Sequence, residues 1–203
     1  LLDTGDRMLL VDAASGRPAS TGVEFSLSAR MRWDAPTGTG LARPEGGLRP
    51  VAAVLRAAAI AGAADRLLEM TVTYANERVQ FGKPIGRLQV LQQYMAVMAE
   101  DTVAARIATQ LACASGFPPS LEAAATAKSV ASVAAPRIAA TAHAVHGAIG
   151  ISEELDVQLF TRRLHEWRLA DGSESYWNRQ LGKARLAGGA DRSVDWIRDR
   201  IFA

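Results

Sequence analysis

The sequence has a single cysteine, Cys113, in 203 residues. It therefore holds no internal disulfide, and a lone thiol fits a reducing compartment, so a cytoplasmic location is expected. Cys113 sits in the apolar run ATQLACA and reads as a buried helix residue. Blocks of like charge are also missing. Arginines are scattered among Asp and Glu, the formal net charge is only +2, and 49% of the residues are hydrophobic. That balance excludes a disordered tail and a strongly electrostatic nucleic-acid binder. No apolar run is clean enough for a membrane span, because the most apolar one, VAAVLRAAAIAGAADRLL, is rich in alanine and contains Arg56 and Asp65. Neither a GxGxxG nor a P-loop pattern occurs, so a Rossmann dinucleotide site is not supported. Metal-ligand spacing is lacking as well. His143, His146 and His165 have no clustered cysteine or carboxylate beside them, which leaves packing or capping roles and no metal.

What is present divides in two. Residues 1 to about 36 carry short β-type runs, RMLLVDA and GVEFSLSARMRW, the second alternating Val23, Phe25 and Leu27 on one face. ASGRPASTG reads as the turn between them, and the Gly/Pro-dense APTGTGLARPEGGLRP as a boundary. So few strands do not stand alone. The chain opens at Leu1 inside this strand-rich stretch, so we expect it to be part of something longer. From residue 49 onward the pattern is helical. Helix one is expected over about 51–78. Helix two begins near Ile85 with Leu88, Leu91, Met95, Met98, Ile107 and Leu111 at spacings of three and four. Gly116 and two prolines stop it, and Ser120 caps a third helix that must absorb Pro136. A short helix over about 152–163 and a last one from about 172 complete the set. Long helices with short connections imply an antiparallel bundle. The expected fold is mainly α, with residues 1–48 a partial β-domain and linker and residues 49–203 a four-helix-bundle domain.

Three ordered motifs carry chemistry. YANERVQFGKPIGRLQ, residues 74–89, puts Tyr74 and Arg78 on one helix face and then breaks at Phe81-Gly82. AVHGAIGISEE follows at 144–154 and LADGSESYW at 169–177. By itself the first motif also suits a plain helical hairpin whose arginine neutralises a helix dipole. Together the three resemble acyl-CoA dehydrogenases. The first is similar to that family's Y-x-x-x-R-x-Q-F-G signature, the second to its Q-x-H-G-G-x-G segment and the third to its Y-E-G-T segment. The strands before Gly40 resemble the second half of the family's middle β-domain.

The resemblance implies an FAD-dependent enzyme that dehydrogenates an acyl-CoA thioester between its α and β carbons and passes electrons to a flavoprotein or another carrier. It implies a dimer of dimers, homo- or hetero-tetrameric, in which the motif arginine reaches the FAD pyrophosphate held mainly by a neighbouring subunit. Arg78 matches that arginine, and a guanidinium suits phosphate because its donor fork fits the oxygens and keeps its proton. Gln80, Phe81 and Gln89 match positions around the adenosine side. Gly147 and Ala148 form a turn of small residues that lets backbone approach the cofactor, and Ser173 and Ser175 match positions that hold the flavin. The family's usual base, the Glu of Y-E-G-T, corresponds to Asp171, one methylene shorter. An Asp before Gly-Ser also suits a helix N-cap. Ala144 stands where the family has a glutamine, and Ala52 stands near its alternative base position. These departures admit a second reading, a non-catalytic partner subunit lending FAD contacts to a catalytic chain.

Overall fold

Alanine decides how the helical part packs. In the computed structural model, which describes residues 1–23, 25–189 and 192–202, the chain divides into two compact units, residues 1–50 and 51–203.

Helix α1, Arg49–Glu77, starts with Pro50 in its first turn, where a missing amide hydrogen costs nothing. Its buried residues Ala53, Ala57, Ile60, Ala64, Leu67 and Ala75 recur every three, four or eight positions and form one stripe. Helix α2, Gln89–Ala114, turns Met98, Asp101, Thr102, Ala105, Ala108, Thr109 and Ala112 inward. Its buried hydroxyls are satisfied within the helix, Thr102 donating to the Met98 carbonyl and Thr109 to the Ala105 carbonyl, both at 2.8 Å. Helix α3, Leu121–His146, begins as the sequence predicts: the Ser120 hydroxyl accepts from the Ala123 amide at 3.1 Å. It runs on through Pro136, with Ala124, Ala127, Ala131, Ala135, Ile138, Ala139 and Ala142 buried.

Helices α4, Val157–Leu169, α5, Glu174–Ala187, and α6, Ser193–Ile201, complete the unit. One apolar cluster joins α1 through α4, with Ile60, Leu67, Met98, Ile138, Val157 and Leu164 as its larger members. Neighbours run antiparallel. Asp65 on α1 pairs with Arg106 on α2 at 3.7 Å, and Asp101 on α2 takes the Arg137 Nε of α3 at 2.9 Å. Trp177 of α5 is buried against Ala53 and Ala125.

The first unit contains a three-stranded antiparallel sheet of β1, Leu2–Asp3, β2, Met8–Leu10, and β5, Thr39–Leu41, in the order β1-β2-β5. Strand β3, Arg17–Ser20, pairs separately with β4, Ala29–Arg32. Asp3 closes this unit by accepting from Arg43 Nε at 2.7 Å and from the Leu48 amide at 3.1 Å. The Arg43 bond holds the Asp3 carboxyl down to about 2.

Several boundaries differ from the sequence reading. Val23, Phe25 and Leu27 lie outside any strand and are exposed, while part of the expected turn, Arg17–Ser20, is a strand. Alternation alone cannot tell a strand from a loop that happens to alternate. Helix two starts at Gln89, after a 3-10 turn over Ile85–Arg87, and Ile107 and Leu111 face outward because alanine and threonine take the inner face. The short helix expected at 152–163 forms at 157–169, and α6 was not anticipated. Cys113 is exposed, one position past the buried Ala112.

Two substitutions test the packing. Ala135→Leu, at a position with no exposed surface, should destabilise by roughly 1–3 kcal/mol through overpacking. Leu164→Ala should cost roughly 2–5 kcal/mol through the cavity it leaves. Urea unfolding followed by circular dichroism reads both, and a neutral Ala135→Leu would show slack between the helices that this packing does not allow.

Candidate functional site

The first motif folds into a two-residue β-hairpin. Strand β6, Val79–Gln80, pairs with β7, Lys83–Pro84, in register Val79↔Pro84 and Gln80↔Lys83. Phe81 and Gly82 form the turn with φ of 52° and 73°. Positive φ at both central positions is the type I′ geometry, which matches the twist of the flanking strands. Gly82 adopts it freely, and nothing lies within 4 Å of where its Cβ would be. Phe81 does not. A bulky side chain in the left-handed region costs on the order of 1 kcal/mol, yet the Phe81 ring is 87% exposed and recovers little by packing. Arg78, one residue past α1, is exposed, and among the described residues its side chain forms no ion pair. Gln89 is exposed at the first turn of α2, and the Gln80 amide donates to the Val79 carbonyl at 2.9 Å.

The second motif abuts the first. The Tyr74 ring stacks on His146 with centroids 4.5 Å apart, and its hydroxyl lies 3.4 Å from the His146 carbonyl. His146 is itself buried, with Nδ1 2.8 Å from the Ala142 carbonyl, and burial lowers its proton affinity. Ala75, Ile85 and Val145 seal the same junction. Gly147 then leaves α3 at φ 66°, with open space where a Cβ would stand, and Ala148 beside it is exposed. The structure thus gathers Arg78, Gln80, Phe81, Gln89, Gly147 and Ala148 around one end of α1 and α3. The face offers an uncompensated cation, an exposed aromatic ring and a turn without a side chain. That combination fits a flat ring system bearing a phosphate.

The third motif lies elsewhere. Asp171 sits in the turn between α4 and α5 with φ 59°, a conformation Asp tolerates better than most residues. Its Oδ2 accepts from Arg56 Nε at 3.1 Å, with the Asp171 side chain 31% exposed. Its main-chain carbonyl accepts from Trp177 Nε1 at 3.2 Å, and the Arg56 guanidinium stands 5.9 Å from the Trp167 ring centre. The N-cap of α5 is Ser173, two residues after Asp171, so Asp171 is not the cap. Ser173 is half-buried and Ser175 exposed. Arg168 Nη2 donates to Glu174 Oε1 at 2.5 Å, which lowers the Glu174 carboxyl below its ordinary value.

The two groups of residues are held apart by α1. From Arg56, which grips Asp171, to Glu77, which precedes Arg78, the helix rises roughly 30 Å at 1.5 Å per residue. Sequence reading found both groups but not Arg56 or Lys128, because the turn they hold lies 115 positions from Arg56 and 40 to 44 from Lys128. Among the described residues no group of three His, Cys, Asp or Glu is placed to hold a metal, and no helix is long and apolar enough to cross a membrane.

The hairpin yields a direct test. Phe81→Asn should raise stability by about 0.5–1 kcal/mol, since Asn accepts the left-handed conformation. Gly82→Val should lower it by roughly 1–2 kcal/mol for the converse reason. Thermal unfolding measures both, and a destabilising Phe81→Asn would mean the ring packs within this chain after all.

Residues 39–186 match the family model for the acyl-CoA dehydrogenase C-terminal domain. The chain is 43% identical over 122 residues to acyl-CoA dehydrogenase IpdE2 of Mycobacterium tuberculosis, covering 60% of this chain and 37% of that one. It is 35% identical over 161 residues to acyl-CoA dehydrogenase IpdE2 of Mycolicibacterium smegmatis, covering 79% and 50%. Among solved structures it is similar to a variant of the Tcur3481-Tcur3483 steroid ACAD, with TM-score 0.79 and 26% identity over 90% of this chain and 52% of that one. The chain spans no more than half the length of these two curated relatives.

Proposed function

The chain belongs to the acyl-CoA dehydrogenase family, and on that premise we propose that it serves as a subunit of an FAD-dependent enzyme dehydrogenating an acyl-CoA thioester. In this reading residues 1–48 are the second half of the family's middle β-domain and residues 49–203 its C-terminal bundle. The observation that carries the proposal is the exposed hairpin, where an unpaired Arg78 stands beside a strained, solvent-facing Phe81 and the open Gly147 turn. A protein keeps backbone strain at an exposed aromatic where binding repays it.

Arg78 would hold the FAD pyrophosphate, Phe81, Gln80 and Gln89 its adenosine side, and Gly147 and Ala148 would admit it closely. Ser173 and Ser175, at the start of α5, would hold flavin. Bound FAD supplies the two-electron acceptor. Asp171 would take the α-proton, with Arg56 orienting its carboxylate through Oδ2. The roughly 30 Å of α1 between the two groups supports an assembly in which Arg78 reaches the cofactor of a neighbouring subunit while Asp171 faces its own. A homo- or hetero-tetramer, with an electron-accepting flavoprotein or other carrier as partner, satisfies that constraint.

The Arg56–Asp171 ion pair favours a second reading. A carboxylate already committed to a guanidinium also serves as structure, which suits a partner subunit that lends FAD contacts to a catalytic chain. Exposed Ala144 and half-buried Ala52 supply no carboxylate in its place.

Two variants of the full-length protein, in its native assembly, test these readings, the first the cofactor assignment they share and the second the base that separates them. Arg78→Ala should weaken FAD retention by roughly 10- to 100-fold, the loss of one charge-assisted contact, read as flavin absorbance after gel filtration; unchanged retention would refute the cofactor assignment. Asp171→Asn should lower turnover at least ~100-fold if Asp171 is the base, whereas unchanged turnover makes the chain the partner subunit.

A further inference from the structure

Lys128 has no part in the assignments above, yet it occupies a built socket. Its side chain is fully buried on α3, with 0% of its surface exposed. Its Nζ donates to the Ser132 hydroxyl at 2.8 Å, the Arg168 carbonyl at 2.8 Å and the Gly172 carbonyl at 2.9 Å. An ammonium has three donors and no acceptor, so the socket uses all of them. Two of the three acceptors flank Asp171: one lies in the last turn of α4 and the other immediately follows Asp171. Ser132 reinforces the arrangement by donating to the Arg168 carbonyl at 3.3 Å. Four charged groups surround the ammonium, Arg56 from α1, Arg168 from α4, Asp171 from the turn and Glu174 from α5. The two arginines are already answered by Asp171 at 3.1 Å and Glu174 at 2.5 Å. Gly172 is confined as well, since a Cβ there would stand 2.7 Å from Tyr176 and 2.8 Å from Trp177 Nε1.

We propose that Lys128 is the positioning residue of the Asp171 turn: its ammonium ties α3 to both ends of residues 168–172 and so holds Asp171 in its left-handed conformation at the mouth of α5. The catalytic meaning of that placement rests on the reading of Asp171 given above; the dependence of the turn on Lys128 does not. Burial pushes the Lys128 proton affinity down to about 8 from 10.5. Below about 8 the folded chain keeps the ammonium and all three bonds. Between about 8 and 10.5 the folded chain releases a proton that the unfolded chain keeps, so this group's contribution to global stability rises with pH there. Locally the sign is the same: the neutral amine still donates to the carbonyls of Arg168 and Gly172 and accepts from the Ser132 hydroxyl, while an opening that wets Lys128 restores its proton affinity, so raising the pH suppresses that opening.

The test is hydrogen–deuterium exchange of the full-length protein in its native assembly from pH 7 to 9.5, corrected for the intrinsic pH dependence. In the unmodified protein, peptides covering 168–177 should gain protection several-fold on crossing about pH 8. Lys128→Met should show low protection of 168–177 at pH 7 and no step. Wild-type protection in Lys128→Met, or no step in the unmodified protein, would overturn the proposal, and the unmodified series decides alone if the variant does not fold. The same pattern in an assembly that never takes up flavin would sink the functional reading and leave this one standing.

Discussion

The close approach of α3 to its neighbours is the constraint on which the helical unit rests. An alanine-lined helix lets backbones come within reach of one another, and α3 presents Ala124, Ala127, Ala131, Ala135, Ala139 and Ala142, none with exposed surface. Larger side chains on this face would push α4 and α5 outward. The Lys128 ammonium would then fall short of the carbonyls of Arg168 and Gly172, and Trp177 would lose its seat against Ala125. The cost of an alanine core is little apolar area per residue. Cross-helix polar links supplement it here, through Asp101 with Arg137, Asp65 with Arg106 and Arg56 with Asp171.

Helix α1 acts as a spacer between two chemical surfaces. Arg56 in its second turn holds the Asp171 turn, and Tyr74 near its end stacks on His146 and supports the Arg78 hairpin. A straight helix is stiff, so the separation does not adjust to a ligand. In the proposed function each surface is completed by polypeptide other than the residues opposite it on the same helix, which is the geometric reason an assembly enters that proposal.

The hairpin and the Asp171 turn show how far sequence reasoning reaches. The Tyr74-to-Gln89 spacing and the Phe81-Gly82 break were legible because turns and helix ends depend on residues within a few positions of one another. The β-pairing of residues 79–80 with 83–84 was not, since two-residue strands show no periodicity. Val23, Phe25 and Leu27 misled for the opposite reason: the alternation exists, but the pairing partner of β4 is Arg17–Ser20. Cys113 and Ile107 were expected inside because apolar residues usually are. The inner face of α2 went instead to smaller alanines and threonines that fit the narrow gap.

The sequence by itself determined the helical character of residues 49–203, the Ser120 cap and the family resemblance, because local spacing and residue chemistry suffice for each. Tertiary structure alone decided that Tyr74 meets His146, that Asp171 pairs with Arg56 rather than capping α5, and that Lys128 is sunk among the carbonyls of a turn 40 and 44 positions away. Those contacts join residues far apart in the chain, and they follow from how closely alanine-faced helices pack, a property of the assembled bundle that no single segment encodes.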